Sequence, residues 1–357
     1  MLIMGMHVDD LKITGERSII EALLVHLEKA FGKLKCSWQS FVNCGINHVQ
    51  DPNTYVVICE QNAYIACLKP IVSSELSSAQ PEDVASPELA AMFISLLGAL
   101  AYCLLTRMDL GVYVCALQRV ASRPLCKHIK RLNTLTRWAQ RNPRGLRYAR
   151  LSLPLRLIAV SDSAFKREED EHGHASGHAM RGCVIVRAGA DPADSTSLNV
   201  QVLDYVSRKQ RHVCRATFAA ELFGAVDSID ALLQLCSVQY ELCNGSQSLD
   251  RLRRLREDGG YGIKCWVAVD ARSVFEAVTA KQIKVPAERG LHVQLLWWRE
   301  LLSRGLLHGV VWVDTRDMVS DGLTKGSVDC KALHALMAGS WSIAHPLACW
   351  IPASNIT

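Results

Sequence analysis

The sequence contains no long apolar segment, no low-complexity run and no CxxC pair. Its apolar segments are too short or too interrupted to span a bilayer, and the first residues lack the basic and apolar regions of a secretory signal. The 14 cysteines are scattered without a compact framework, which argues against structural zinc sites of the usual spacing and against disulfides. We therefore expect a soluble intracellular protein whose cysteines are small buried hydrophobes.

The composition is that of a globular protein with an uneven distribution of charge. Hydrophobic residues make up 49% and charged residues 21% of 357 residues, enough for two or three domains with a sizeable core. The net charge is +5, and residues 1–150 contain 17 Lys and Arg against 12 acids, whereas the remainder has 23 of each. The excess of positive charge therefore lies in the first part of the chain.

A basic segment from Arg119 to Arg150 contains ten Lys or Arg and no acid. Its apolar residues recur at helical spacing, which predicts an amphipathic helix. A solvated helix face commonly explains such a run, but the absence of acids favours contact with nucleic-acid phosphates. The same two interpretations apply to a second cluster ahead of Glu221. The candidate nucleic-acid-binding residues are Lys127, Lys130, Arg131, Arg137, Arg208, Lys209 and Arg211.

Four acids occur in settings where a carboxylate needs an explanation. LRLIAVSDSAF predicts a buried strand that ends at Asp162, and KCWVAVD predicts a second one that ends at Asp270. Glu221 lies in the apolar helical pattern ATFAAELFGAV, and Asp321 follows the strand HGVVWVD near a helix start. Each acid alone can be a turn, cap or solvated residue. Their joint order is strand-Asp, helix-Glu, strand-Asp and Asp near a helix start.

In the motifs SDSAF, YVSRKQRHVCRATFAAE, VDARS and DGLTK the chain resembles the ribonuclease H domain of Ty1/copia-type retrotransposon Pol polyproteins. The resemblance implies that Asp162, Glu221, Asp270 and Asp321 bind two divalent ions, Mg²⁺ or Mn²⁺. It also implies hydrolysis of the RNA strand of an RNA–DNA hybrid, which is the expected partner. Carboxylates suit this chemistry, because Mg²⁺ prefers carboxylate oxygens and two ions can activate water and stabilise a leaving oxygen.

The N-terminal segment MLIMGMHVDDLKITG resembles the metal-binding hairpin of a reverse-transcriptase palm. Asp9 and Asp10 are then the acid pair, with His7 in place of the usual aromatic residue. In isolation, two acids in a hairpin are an ordinary turn. A polymerase also needs an Asp on an earlier strand and a fingers region. Because the chain starts at the hairpin, we expect no DNA synthesis.

The expected fold is mixed α+β or α/β, and the resemblance extends from Asp9 to Lys325. It implies a palm remnant at residues 1–70, a basic helical thumb or connection region at 71–150, and a ribonuclease H-like domain at 151–340. That domain should be a mixed five-stranded sheet flanked by helices, followed by a tail at 341–357. The remainder of a Pol polyprotein is a further possible partner.

Three alternatives remain open at this point. The chain can be a catalytically silent nucleic-acid-binding remnant, or a genomic relic that does not fold. A zinc site formed by His172, His174, His178 and Cys183 is disfavoured, because the spacing is not that of a structural site. Many ribonucleases H also carry a His shortly before the last acid, and residues 314–317 contain none, so we expect slow turnover.

Overall fold

We describe a computed structural model that covers residues 2–165, 168–169, 175–176 and 179–355.

The first part of the chain forms short antiparallel strands. The elements of this part are β1 (Leu2–His7), β2 (Asp10–Gly15), α1 (Arg17–Phe31), β3 (Ser40–Asn43), β4 (Ile46–Gln50), β5 (Val57–Glu60) and α2 (Asn62–Cys67). β1 and β2 form a separate hairpin, whereas β3, β4 and β5 pair in order with a later strand, Gly145–Tyr148.

Helices dominate the next part of the chain. They are α3 (Ser74–Ser78), α4 (Pro87–Cys103), α5 (Gly111–Gln118) and α6 (Cys126–Arg141), with a 3-10 turn at Met108–Leu110 and strand β6 (Gly145–Tyr148) at the end. Ser86 begins α4 as its N-cap, because its hydroxyl accepts a hydrogen bond from Leu89 N. In α6, Ile129 and Leu132 are fully buried. None of the described helices is both long enough and apolar enough to cross a membrane.

The rest of the chain surrounds a large mixed sheet. Its elements are β7 (Arg156–Ala164), β8 (Glu168–Glu169), β9 (Ala175–Ser176), β10 (Met180–Ala188), β11 (Ser197–Lys209), α7 (Thr217–Asn244), α8 (Leu249–Asp258), β12 (Lys264–Val269), α9 (Arg272–Thr279), α10 (Arg289–Ser303), β13 (Gly309–Trp312), α11 (Asp321–Thr324), α12 (Lys331–Met337), β14 (Ser340–Ser342) and β15 (Ala348–Trp350). Short 3-10 turns lie at Thr315–Asp317 and Ala353–Asn355.

The sheet has seven strands in the order β14-β11-β10-β7-β12-β13-β15. β7 is antiparallel to β10 and parallel to β12, and β12 is parallel to β13. The architecture is therefore mixed α+β, but the sheet has seven strands where five were expected. Two short edge strands extend the sheet: β14, which begins at the last residue of the predicted domain, and β15, which lies in the predicted tail. The segment boundaries at residues 70, 150 and 340 stay a prediction.

Each face of the sheet has its own hydrophobic core. Successive side chains of a strand point to opposite faces, so Leu157 and Ala159 pack with α7, α9 and α10, whereas Ile158 and Val160 pack with α11 and α12. The helical part contacts the second face, and Tyr113 Oη donates a 2.9 Å hydrogen bond to the carbonyl oxygen of Gly326. The ends of β7 and β12 therefore lie between two layers of helices.

Candidate metal centre

Two of the acids lie at the same end of neighbouring parallel strands. Val269 on β12 is the register partner of Ser161 on β7. Asp162 is the next residue of β7, and Asp270 directly follows β12. Because the carboxyl ends of adjacent parallel strands meet at one edge of the sheet, the two side chains converge. Asp162 is only 1% exposed, an unusual setting for a carboxylate.

Glu221 reaches the same edge from α7, which packs against β7. The helix lies so close to the strand that a Cβ at Gly224 would lie 2.3 Å from Ser163 Oγ. Ala220, which precedes the acid, is fully buried in this contact. The backbone N–H of Ser163 donates a 3.0 Å hydrogen bond to Glu221 Oε2. The helix carboxylate is thus held against the strand that carries Asp162.

The side chains of Asp162, Glu221 and Asp270 form what we call the acid cluster. Each offers one carboxylate oxygen, and these oxygens lie within 4.8 Å of one another. Across the described ranges, no other group of three or more His, Cys, Asp or Glu side chains is close enough to share an ion. The structure therefore brings together three of the four acids that the sequence singled out.

Asp321 lies beside the acid cluster but does not join it. It begins the short helix α11, which packs over Gly182 of β10, the register partner of Asp162. Asp321 Oδ1 is 2.6 Å from Lys325 Nζ, and the same ammonium nitrogen lies 3.6 Å from Asp162 Oδ1. Lys325 therefore links the fourth acid to the cluster, a role that the sequence analysis did not assign.

Two threonines hold carboxylates of the cluster in place. Thr324 donates its hydroxyl hydrogen bond to Asp162 Oδ2, and Thr315 donates one of 3.0 Å to Asp270 Oδ2. Neither threonine was predicted from the sequence. Thr324 and Lys325 lie three and four positions after Asp321, the spacing that places side chains on one side of a helical turn. This spacing is the feature of the sequence that could have indicated both residues.

Burial and mutual repulsion disfavour the ionised forms of Glu221, Asp270 and Asp321. Burial, with the charges of Asp162 and Asp270, raises the pKa of Glu221 to about 9. Burial and then Asp162 raise the pKa of Asp270, although Thr315 and Lys325 oppose this. Burial and then Asp162 likewise raise the pKa of Asp321 to about 7, against the hydrogen bond from Lys325. Negative charge at this edge is therefore under-compensated.

The acid cluster fits a hard divalent cation. All its donors are carboxylate oxygens, which suit Mg²⁺ or Mn²⁺ better than softer metals. Burial first and then repulsion from Asp162 and Asp270 raise the pKa of Glu221, and a bound cation would relieve that repulsion. The disfavoured zinc site cannot be compared, since His172, His174 and His178 lie outside the described residues, and Cys183 is buried in β10.

Asp9 and Asp10 belong to a separate two-stranded sheet and not to the sheet that carries the acid cluster. Both are exposed at the turn of the β1–β2 hairpin, where Asp10 is the register partner of His7. Within the residues that the structure covers, they belong to no cluster of metal-binding side chains. A role as a polymerase remnant stays a prediction.

The predicted basic residues occupy two exposed surfaces. On α6, Lys130, Arg131 and Arg137 are exposed, whereas Lys127 forms a 2.6 Å ion pair with Glu82. The second surface lies at the end of β11, where three exposed basic residues follow Ser207. Ser207, Gly182 and Asp162 are register partners on adjacent strands. At about 4.8 Å per strand, the backbone of Ser207 lies two strands, or roughly 10 Å, from that of Asp162. The residues of this second surface are Arg208, Lys209 and Arg211.

Comparison with known proteins gives weak structural similarities. No family model matches the chain, and no curated protein matches it. One similar solved structure is the N-terminal RNase H domain of a Mycobacterium tuberculosis protein fused to maltose-binding protein. It has 16% identity and a TM-score of 0.29 over 52% of this chain and 99% of that one. Another is the protease-reverse transcriptase of prototype foamy virus, with 12% identity and a TM-score of 0.22 over 81% of this chain and 38% of that one. Scores this low carry no argument about what the chain does.

Proposed function

We propose that the chain is a divalent-metal-dependent nuclease of the ribonuclease H type, which hydrolyses the RNA strand of RNA–DNA hybrids. The observation that carries the proposal is the acid cluster, with oxygens of three carboxylates from β7, α7 and β12 within 4.8 Å of one another. The order of these acids along the chain and the central strands β11-β10-β7-β12-β13 support it. Its origin in a copia-type Pol polyprotein is part of the proposal and rests on the motifs around the acids.

In this proposal Asp162, Glu221 and Asp270 hold the metal, together with Asp321. Two bound divalent ions would neutralise phosphodiester charge and lower the pKa of an attacking water. The protein supplies carboxylates whose directions are fixed before binding, because hydroxyl and backbone donors already hold them. Such preorganisation avoids reorientation of the ligands during the reaction.

The basic surfaces orient the substrate. Exposed guanidinium and ammonium groups on α6 and at the end of β11 contact phosphates, which positions a duplex without reading its sequence. Selectivity for a hybrid then comes from its shape and 2′-hydroxyl groups. Asp9 and Asp10 have no part in this hydrolysis, since they belong to a separate two-stranded hairpin.

A second candidate function is nucleic-acid binding without catalysis. The observation in its favour is Lys325, whose ammonium is paired with Asp321 at 2.6 Å and therefore occupies a carboxylate that a metal would need. Residues 314–317, ahead of Asp321, also lack the His that many ribonucleases H carry there. These residues contribute Thr315 instead, whose hydroxyl holds the carboxylate of Asp270 but transfers no proton at neutral pH.

Cleavage of a labelled RNA–DNA hybrid by the full chain tests the proposal. We expect cleavage of the RNA strand with Mg²⁺ or Mn²⁺, none with chelator, and none by Asp162→Asn, which keeps the shape of the side chain but removes its charge. Asp250→Asn is the matched control, because Asp250 is exposed on α8. Hybrid binding without cleavage in every metal would favour the silent binding protein. Cleavage that survives in Asp162→Asn would rule out the acid cluster as the site.

A further inference from the structure

The side chain of Lys325 lies between two candidate metal ligands. Its Nζ is 2.6 Å from Asp321 Oδ1 and 3.6 Å from Asp162 Oδ1. We propose that Lys325 is a built-in counter-cation that sets the ion occupancy of the site. Its ammonium takes the place of a second divalent ion between Asp162 and Asp321, so one ion binds tightly and the second binds only when Lys325 moves out. This inference rests on the proposed function, in which these acids hold metal.

Lys325 can enter and leave this position because of where it lies in the fold. Asp321 and Lys325 are four positions apart on and just after α11, so their side chains lie on one side of the turn. The Asp321 side chain is 9% exposed and that of Lys325 is 34% exposed. The ammonium therefore reaches inward from the surface on a flexible four-carbon stem, and it can swing back to solvent.

The balance of charge disfavours a second divalent ion while Lys325 stays, because that ion would make the site net positive. Among the described residues, Lys325 is the one Lys or Arg whose nitrogen lies within 4.0 Å of a carboxylate of Asp162, Glu221, Asp270 or Asp321. A bound divalent ion favours the ionised form of all four carboxylates, which together with the ammonium carry a formal charge of −3 before the ions are counted. One divalent ion reduces this to −1, whereas two would give +1 with the ammonium retained. Departure of the ammonium makes the doubly occupied site formally neutral.

The geometry of Asp321 leads to the same conclusion. Its Oδ1 is engaged by the ammonium, and it stands outside the group of oxygens that lie within 4.8 Å of one another. Apart from Lys325, no Lys or Arg that the structure describes is in direct contact with Asp162, Glu221 or Asp270. The first ion is therefore expected at the acid cluster and the second on the side of Asp321.

Titration of the full chain with Mn²⁺ alone, at one fixed pH, tests the inference. Electron paramagnetic resonance of free Mn²⁺ gives the number of bound ions and their affinities without any need for catalysis. We expect the unmodified chain to bind one ion tightly and a second at least tenfold more weakly. Lys325→Met should tighten the second ion at least tenfold, and Lys325→Arg, which keeps the positive charge, should not. Lys331→Met is the control, because Lys331 is exposed and pairs with Asp329.

The other outcomes of the Mn²⁺ titration distinguish failure of this inference from failure of the proposed function. Two equal Mn²⁺ sites in the unmodified chain, or a second ion that Lys325→Met leaves unchanged, would overturn the inference while the proposed nuclease stands. Absence of Mn²⁺ binding in every variant would overturn the metal site itself, and with it both proposals. Thermal unfolding without metal verifies that Lys325→Met is folded. Should it not fold, Lys325→Gln serves for the same titration, since it also removes the charge.

Discussion

The backbone N–H of Ser163 donates a 3.0 Å hydrogen bond to Oε2 of Glu221, although 58 positions separate the two residues in the chain. This bond joins α7 to β7 at the residue directly after Asp162. It lowers the pKa of Glu221, but burial and the neighbouring acids prevail and raise it to about 9. The carboxylate is therefore held in position before a cation arrives, in a place where its charge is costly.

The metal-free protein should lose stability as the pH rises, and Glu221→Gln should reduce that loss. Folding raises the pKa of Glu221 from 4.5 to about 9, so the folded state binds more protons than the unfolded state between these values. Stability therefore falls as the pH increases through this window. Asp321, raised from 3.8 to about 7, adds to the lower half. Gln cannot ionise, so its variant should show a flatter curve. Melting temperatures in chelator at several pH values measure this, and identical slopes in both proteins would contradict it.

Thr324→Val should destabilise the protein by about 1–3 kcal/mol, because it leaves a buried carboxylate oxygen of Asp162 without its hydroxyl donor. Val has nearly the same shape as Thr, so the loss is that of the hydrogen bond. Thr324→Ser keeps the hydroxyl and should recover most of the stability. Urea unfolding in chelator gives the free energies. Equal stability of the Val and Ser variants would mean that the hydroxyl does not support Asp162.

The sequence predicts the parts of the site that depend on local patterns. Asp162 and Asp270 each end a short apolar run, and strand polarity then places both at one edge of the sheet. The spacing of Thr324 and Lys325 places them beside the fourth acid on one side of the turn, but it does not predict their contacts with Asp162. Their contacts require α11 to pack over β10, a long-range contact that a four-residue helix does not encode locally.

The edge strands of the sheet were equally hidden from sequence reasoning. β14 and β15 contain three residues each, too few to show alternation, and they form by pairing with β11 and β13. The zinc alternative involved a stretch that lies largely outside the described residues. Local periodicity thus predicts the strands that carry the acids, and tertiary contact decides which groups surround them.

Gly182→Ala should destabilise the protein by about 1–3 kcal/mol through overpacking. A Cβ at this position would lie 2.7 Å from Thr324 Cγ2, 2.9 Å from Leu323 Cβ and 3.0 Å from the carbonyl oxygen of Ser320. Two of these atoms belong to the backbone or its first side-chain carbon, so α11 itself must shift, and Mn²⁺ affinity should fall as well. Gly5→Ala is the control, because Gly5 also lies in a strand but has nothing within 4 Å of its added Cβ. Similar free energies of unfolding for both variants would refute close packing of α11.

Arg131→Gln should weaken binding of an RNA–DNA hybrid and reduce the slope of log affinity against log salt by about one unit, the loss expected for one phosphate contact. Arg131 is exposed on α6, and no carboxylate pairs with it among the residues that the structure describes. Lys127→Gln should have a smaller effect, because Lys127 already forms a 2.6 Å ion pair with Glu82. Arg254→Gln on α8 is the control for net charge, since Arg254 is exposed on a helix that packs on α7.

Fluorescence anisotropy at several salt concentrations, in chelator so that no RNA is cut, measures all three variants. If all three weaken binding equally, only overall charge matters and α6 is not a contact surface. If Arg131→Gln alone changes the slope, phosphates contact α6, and the hybrid lies against the helical part as well as the acid cluster.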